Sequence, residues 1–276
     1  MDSYKYGIIG FPLAQTLSPE IHNRAFKTIN FPARYSKIEI NPEDFDLKIK
    51  KLRTDKWDGF NVTVPYKTKI IKYLDEIDPI AEQIGAVNTV QQISDGRWKG
   101  YNTDYSGFLQ PILKFKSEIK NCLVIGSGGA AKAVVFGLLN EFQVKNMVIL
   151  NRTLSKAEQL VKGISSIKKN SIKVCDFETI IPSKYDLIVN TTIIGMGTHE
   201  QELILDPAEF SHKQTILYDL IYKTGQTPFL KAGTDMDLLT FNGWPMLVYQ
   251  ANDAFKIWTG ENFSDELLSS FLKKNL

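Results

Sequence analysis

Cysteine and histidine are scarce in this chain, with two and three residues out of 276. Cys122 and Cys175 are too few for a disulfide framework, and His22, His199 and His212 are scattered, so neither a stapled scaffold nor a metal centre is expected. No uninterrupted apolar run is long enough to cross a bilayer, and no charged-then-apolar leader opens the sequence; a cytoplasmic protein without a membrane partner is expected. Charge of either sign is not in excess: 33 Lys and Arg against 31 Asp and Glu leave +2, which gives no general attraction to nucleic acid. Repeats and low-complexity linkers are also missing. What the chain has is ordinary globular composition, 43% hydrophobic and 23% charged, over a length that can hold one large domain or two ordinary ones.

The stretch from Asn121 to Thr153 organises the rest. An apolar run, Cys122 to Ile125, is followed by Gly126, Ser127, Gly128, Gly129, Ala130 and Ala131, then by apolar residues at helical spacing, then by a second apolar run, Met147 to Leu150. This reads as strand, glycine turn, helix and strand. In such a unit the first glycine makes the tight turn and the second lets backbone N–H groups approach a pyrophosphate. A small third residue, here Ala131, allows close helix–strand packing. The phosphates then lie at a helix N-terminus, where unpaired N–H groups and the dipole favour negative charge. At the end of the second strand, where an NAD site places a carboxylate on the ribose 2′-OH, this chain has Asn151, Arg152 and Thr153, with Lys156 shortly after. A carboxylate repels a 2′-phosphate, whereas a guanidinium binds it through charge-assisted bonds of about 1.5–3 kcal/mol each. The cofactor expected is NADP(H); the plainer alternative is that Arg152 and Lys156 are solvated surface charges.

Elsewhere strands alternate with helices, which predicts an α/β fold with mainly parallel sheets. Strands are expected at Tyr4–Ile9, Arg34–Ile40 and Phe60–Val64, with a hairpin over Thr89–Tyr101 turning at Asp95-Gly96. Ser18-Pro19-Glu20 predicts a helix start with Ser18 as N-cap. Another helix is expected from Asn102 through Leu113, and two more at Met246–Trp258 and Asp265–Leu272. Further strands are expected near Lys173 and at Leu187–Thr191, Ile216–Asp219 and Leu238–Thr240.

Three polar clusters fall at strand ends in the first part of the chain. Thr16 and Ser18 place two hydroxyls at a helix N-terminus, suited to a carboxylate, or serve only as caps. In Asn61-Val62-Thr63-Val64-Pro65-Tyr66-Lys67, alternation puts Asn61 and Thr63 on one face, and the break at Pro65 projects Lys67 beyond the strand. Gly85-Ala86-Val87-Asn88-Thr89 and Gly100-Tyr101-Asn102-Thr103-Asp104 form the third, with turn and capping chemistry as the plainer reading.

The motifs GFPLAQTLSP, NVTVPYK, GAVNT, GYNTD, GSGGAAKA, NRT, YDLIY and MLVYQA resemble those of shikimate dehydrogenases in order and spacing. The resemblance implies reversible, NADPH-dependent reduction of 3-dehydroshikimate to shikimate on the route to chorismate and aromatic amino acids. It also implies a substrate domain of residues 1–103 and 243–276, completed by the C-terminal helices, and a Rossmann-type NADP-binding domain over 104–242. The partner expected is the small-molecule substrate, bound by a monomer or a homodimer. Carried over by position, Lys67 and Asp104 form the catalytic pair. Asn61, Thr63, Asn88 and Gln250 surround the ring hydroxyls, and Thr16, Ser18 and Tyr222 hold the carboxylate. Gly126, Ser127, Gly128, Gly129, Ala130, Asn151, Arg152, Thr153, Lys156, Thr191, Leu220 and Gly243 serve the cofactor. Hydride delivery to a ketone leaves an alkoxide that must be protonated, and Lys67, as an ammonium beside a carboxylate, can supply that proton.

The chain departs from the family pattern in three places: Gln15 and Thr16 replace the usual start of the carboxylate loop, Ile193 stands where serine is usual, and Trp244-Pro245 follows Gly243. The methyl group of Thr16 motivates a second reading, a quinate/shikimate dehydrogenase of broader scope. An enzyme acting on a modified analogue is a third, and an NADP-binding regulatory module without catalysis a fourth; the last gives no reason for Lys67, Asp104 and Gln250 to coexist.

Overall fold

The structure, a computed structural model, describes residues 3–14, 16–164 and 172–273; Gln15 of the expected carboxylate loop lies outside them. Two units are distinguished, one within Met1–Thr103 and Gln250–Phe271, the other within Asp104–Tyr249 and Leu272–Leu276.

The first unit runs β1 (Tyr4–Gly10), α1 (Ser18–Thr28), β2 (Ala33–Glu39), α2 (Phe45–Thr54), β3 (Gly59–Val62), β4 (Glu76–Ile77), α3 (Pro79–Ile84), β5 (Thr89–Gln92) and β6 (Trp98–Tyr101). Its described strands form one sheet in the order β2-β1-β3-β5-β6-β4. β1 pairs in parallel with β2 and β3, whereas β5 is antiparallel to both of its neighbours. The expected hairpin is the β5–β6 pair. Phe60 and Trp98 meet edge to face at 5.0 Å in the core, and Phe45 stacks on Tyr66 at 4.2 Å. β3 stops at Val62 and not at the expected Val64, because the chain turns towards Pro65; even so, Thr63 N–H still donates to Ile9 O at 2.9 Å. Ser18 is the first helical residue of α1, and Leu17 occupies the N-cap without a side-chain cap, which corrects the expected capping role.

The second unit runs α4 (Asp104–Leu109), β7 (Asn121–Ile125), α5 (Gly129–Glu141), β8 (Asn146–Leu150), α6 (Leu154–Gly163), β9 (Ile172–Cys175), β10 (Tyr185–Asn190), α7 (Pro207–Phe210), β11 (Ser211–Asp219), α8 (Pro228–Asp235) and β12 (Leu239–Phe241). α9 (Trp244–Thr259) and α10 (Asp265–Leu272) close the chain. The strand order is β12-β11-β10-β7-β8-β9, every pairing parallel. Numbered from β7, this is 3-2-1-4-5-6 read from the β9 edge, the order of dinucleotide-binding sheets. Its central strands read as near-continuous apolar runs because both faces are covered. α5 is apolar nearly all round and buries Ala131 and Ala133 through Leu138. The helix expected from Asn102 to Leu113 is a six-residue α-helix followed by a 3-10 turn, Gln110–Phe115; Pro111 has no N–H for the α-helical ladder.

The chain re-enters the first unit at Gln250, part-way along α9. Gly243 stays with the second unit, its N–H donating to Ile221 O at 2.9 Å. In the first unit, a Cβ added to Gly59 would lie 2.5 Å from Trp258 Nε1, and that indole donates to Val90 O at 3.0 Å. Glycine at position 59 is what lets the end of α9, which carries Trp258, lie against the sheet.

Candidate functional site

In a doubly wound sheet the ligand crevice opens at the carboxyl ends of the strands where the order reverses, here β7 and β10. The residues at those two ends are Gly126 and Thr191. Gly126 has φ +111°, and a Cβ there would meet Thr191 Oγ1 at 2.3 Å. Thr191 uses both its hydroxyl and its N–H on Ile125 O, at 2.7 and 2.9 Å, and Gly126 N–H reaches Leu150 O at 2.8 Å. Glycine at 126 is therefore required by the seam between the two strands. Gly128 differs, since an added Cβ would meet nothing within 4 Å. It is exposed and caps α5 without a side-chain bond, so the N–H groups of Gly129 and Ala130 at the helix start point where an anion is favoured. Ser127 is half-buried in the same turn.

At the end of β8, Asn151 is half-buried and its Nδ2 donates to Thr153 O at 2.8 Å. Arg152, Thr153 and Lys156 are exposed, and the first turn of α6 carries no acidic residue. Two cations and no carboxylate therefore flank the position where a ribose 2′-substituent would lie.

A buried polar knot closes β10 and β11. Asp219, fully buried, accepts from Thr227 Oγ1 at 2.7 Å, Asn190 Nδ2 at 3.1 Å and Ile221 N–H at 3.1 Å. It thereby sets the turn through Leu220 to Tyr222, both half-buried. A Cβ on Gly243 would sit 2.0 Å from Leu220 O, so that glycine is imposed by packing on this turn. Burial pushes the Asp219 carboxyl up to about 6 from its ordinary 3.8, against the three hydrogen bonds that lower it. Folded protein then binds this proton more tightly than unfolded protein, so its contribution is fully present below pH 3.8 and lost as pH rises to about 6. Comparing denaturation of the wild type and Asp219→Asn across that range should show the variant gaining up to about 3 kcal/mol relative to wild type. A flat difference would contradict the account.

In the first unit, Thr16 Oγ1 lies 3.2 Å from Ser18 Oγ and accepts from Ser18 N–H at 3.3 Å, so the two hydroxyls share the start of α1. Ser18 is buried and Thr16 half-buried. Lys67 and Thr63 are half-buried on either side of Val64-Pro65. The Lys67 backbone is fixed by Tyr66, buried on Phe45, and by Val87 N–H donating to Lys67 O at 2.8 Å. Asn61, Asn88 and Gln250, far apart in sequence, converge: Asn61 Nδ2 reaches Asn88 O at 3.2 Å, and Asn88 Nδ2 lies 3.5 Å from Gln250 Oε1. Asp104, in the second unit, is buried as the first residue of α4. Reasoning from sequence assigned no role to Thr89, Thr103 and Tyr35, which join these amides, or to Asn190, Asp219 and Thr227. A lone acidic residue closing the apolar run Ile216–Tyr218 was a signal for the last group.

Among the described residues no cluster of His, Cys, Asp or Glu could hold a metal, and no helix is long and apolar enough to cross a membrane.

Two family models match the chain: the shikimate dehydrogenase substrate binding domain over residues 8–90, and shikimate / quinate 5-dehydrogenase over residues 110–220. The NADP(+) shikimate dehydrogenase of Caldanaerobacter subterraneus subsp. tengcongensis is 39% identical over 268 residues, 95% of this chain and 94% of that one. The chain belongs to the shikimate dehydrogenase family. Among solved shikimate dehydrogenases, the Aquifex aeolicus enzyme superposes with a TM-score of 0.86 at 34% identity, covering 99% of this chain and 98% of that one. The Thermus thermophilus enzyme in complex with NADP(H) and shikimate superposes with a TM-score of 0.83 at 30% identity, covering 99% and 100%. The segments matched to the shikimate dehydrogenase models leave out Asp104, Tyr222, Gly243 and Gln250, so those four rest on their short motifs and their placement in the fold.

Proposed function

We propose that this chain catalyses the reversible NADP(H)-dependent reduction of 3-dehydroshikimate to shikimate, with the second unit holding the dinucleotide and the first holding the substrate. The observation that carries the activity is near-full-length relationship to an NADP(+) shikimate dehydrogenase at 39% identity. The cofactor follows from the same relationship and is supported by the cations Arg152 and Lys156 at the end of β8, where NAD sites carry an acid. NADP(H) and shikimate are both bound by the Thermus thermophilus relative.

In the reductive direction a hydride passes from the nicotinamide to the ketone carbon, the C=O π pair moves to oxygen, and the alkoxide takes a proton. Lys67 donates that proton and Asp104 takes part in its return; in the oxidative direction the flow reverses. Asn61 has both amide protons committed, to Asn88 O and to Thr89 Oγ1, so it meets a substrate hydroxyl as an acceptor. Such committed groups reject analogues lacking a hydroxyl, because the site's polar atoms are then left unpaired. Thr16 and Ser18 at the start of α1, with Tyr222, hold the carboxylate. Leu220 and Gly243 line the nicotinamide end, and Thr191 the glycine turn.

Thr16 favours a second reading, broader action that includes quinate. The test is absorbance of the reduced cofactor with shikimate and with quinate, each with NADP and NAD. Shikimate with NADP should give the highest kcat/KM; a quinate value equal to it would select the broader reading, and no turnover with either would sink both. In Arg152→Ala, kcat/KM for NADP should fall by about tenfold to a hundredfold while that for NAD changes little. Equal losses for the two cofactors would remove Arg152 from the 2′-phosphate.

A further inference from the structure

Asn61, Asn88 and Gln250 are joined by hydroxyls that no substrate need touch. Tyr35 Oη donates to Asn61 Oδ1 at 2.7 Å. Asn61 Nδ2 donates to Thr89 Oγ1 at 3.0 Å, and Thr89 Oγ1 donates to Asn88 Oδ1 at 3.1 Å. Asn88 Nδ2 donates to Thr103 Oγ1 at 3.0 Å, and Thr103 Oγ1 has two acceptors in reach, Gln250 Oε1 at 3.4 Å and Asn88 Oδ1 at 3.2 Å. The Thr89 and Thr103 hydroxyls, 3.2 Å apart, thus join the three amides in series from Asn61 through Asn88 to Gln250. The Thr103 N–H adds a bond of 2.7 Å to Asn88 Oδ1, which fixes the Asn88 amide independently of the hydroxyls. Tyr35, Thr89 and Thr103 are 2%, 0% and 3% exposed, and Asn61, Asn88 and Gln250 are 4%, 2% and 8% exposed. The amides stand nearer the surface than Thr89, and the whole series lies within the first unit.

We infer that Thr103 is a positioning residue for substrate, acting through Asn88 and Gln250 as the hydroxyl link between them in this hydrogen-bonded series. An isolated amide side chain can turn over and exchange its oxygen and nitrogen at small cost, presenting a donor where an acceptor is needed. Asn61 and Asn88 cannot turn over, because Asn61 Oδ1 would then face the Asn88 carbonyl and Asn88 Nδ2 would face the Thr103 N–H. Hydrogen bonds linked head to tail in a low-dielectric interior also polarise one another, so a break in the middle is felt at both ends. The Thr89 hydroxyl bridges Asn61 and Asn88, and the Thr103 hydroxyl bridges Asn88 to Gln250 on α9. The Tyr35 end is held separately: its ring stacks on His22 at 4.5 Å, within an aromatic cluster that includes Trp258.

This inference rests on the reading that Asn88 faces the substrate, and the experiment separates the two. Thr103→Val keeps the shape and the backbone N–H but removes the hydroxyl; Thr103→Ser restores it. Shikimate KM should rise about tenfold in Thr103→Val, the value of one lost hydrogen bond, with NADP KM within about twofold of wild type. Thr103→Ser should return to within about threefold of wild type. In an Asn88→Ala background, Thr103→Val should add less than about twofold, since the shorter bonds of its hydroxyl, at 3.0 and 3.2 Å, are to Asn88 and the one to Gln250 is 3.4 Å. A shikimate KM unchanged in Thr103→Val, or the full factor repeated in the Asn88→Ala background, overturns the inference. If Asn88→Ala alone leaves shikimate KM unchanged, the substrate-facing reading of Asn88 fails and takes this one with it; if only Asn88→Ala has an effect, the coupling alone fails. Should Thr103→Val not fold, Tyr35→Phe, which keeps the ring on His22, is measured against Asn61→Ala in the same way. A raised shikimate KM that vanishes in the Asn61→Ala background supports the series, and an unchanged KM or a fully additive one overturns it.

Discussion

Lys67→Ala is expected to fold as the wild type does, to bind NADPH with unchanged affinity, and to lose between about a hundredfold and ten-thousandfold in kcat. The structure separates these outcomes. The backbone at position 67 is held by groups the substitution leaves alone: the buried Tyr66 ring on Phe45, and the Val87 N–H on the Lys67 carbonyl. Truncating a half-buried side chain at such a fixed point costs little stability compared with an emptied core site. The chemical step, by contrast, leaves negative charge on the former ketone oxygen, and loss of the positioned donor raises the barrier by about 3–5 kcal/mol. Fluorescence titration of NADPH together with steady-state rates checks both halves. A kcat within tenfold of wild type would remove Lys67 from the proton transfer.

The second large effect is expected at the glycine turn, where two neighbouring glycines should behave differently. Gly126→Ala places a Cβ 2.3 Å from Thr191 Oγ1 on a backbone at φ +111°. An L-residue at positive φ costs about 1–2 kcal/mol, and relief of the contact must shift Thr191, which is tied twice to Ile125. Both the melting temperature and the affinity for NADP should fall, the latter by about tenfold to a hundredfold as the turn opens. Gly128→Ala meets nothing and has an ordinary φ of −78°, so its fold should be as stable as the wild type's. Its methyl group would stand where the pyrophosphate approaches, and only cofactor affinity should drop. A Gly128→Ala protein that binds NADP as tightly as the wild type would move the phosphates away from this turn.

The reasons some elements were legible in the sequence and others were not are physical. β7, β8 and the central strands of the second sheet are apolar on both faces, and the glycine turn after β7 stands between an apolar run and a helical stripe. α3, α6 and α8 carry only short apolar stripes, so periodicity passes over them. Two of them nevertheless announce themselves by their caps: Asp78 before Pro79 accepts from Ile80 N–H at 3.0 Å, and Thr227 before Pro228 accepts from Leu230 N–H at 3.3 Å. The insertion of β5 between β3 and β6 depends on long-range pairing that no local pattern encodes. For the site, motif resemblance supplied Asn61, Asn88 and Gln250, but their convergence spans 162 positions between Asn88 and Gln250. Thr89 and Thr103 escaped because a threonine beside an asparagine reads as local turn chemistry, and only burial reveals that their hydroxyls point inward.

The interruption of the first unit by the second has a consequence for biosynthesis. The sheet from Tyr4 to Tyr101 leaves the ribosome long before Trp258, whose indole closes over Gly59 and Val90, has been translated. Until then the surface around Gly59 stays wet, and Asn88 and Thr103 wait for Gln250. Vectorial synthesis thus delivers the strands of both sheets before the helix that covers Gly59, and the first unit is completed last although it is begun first.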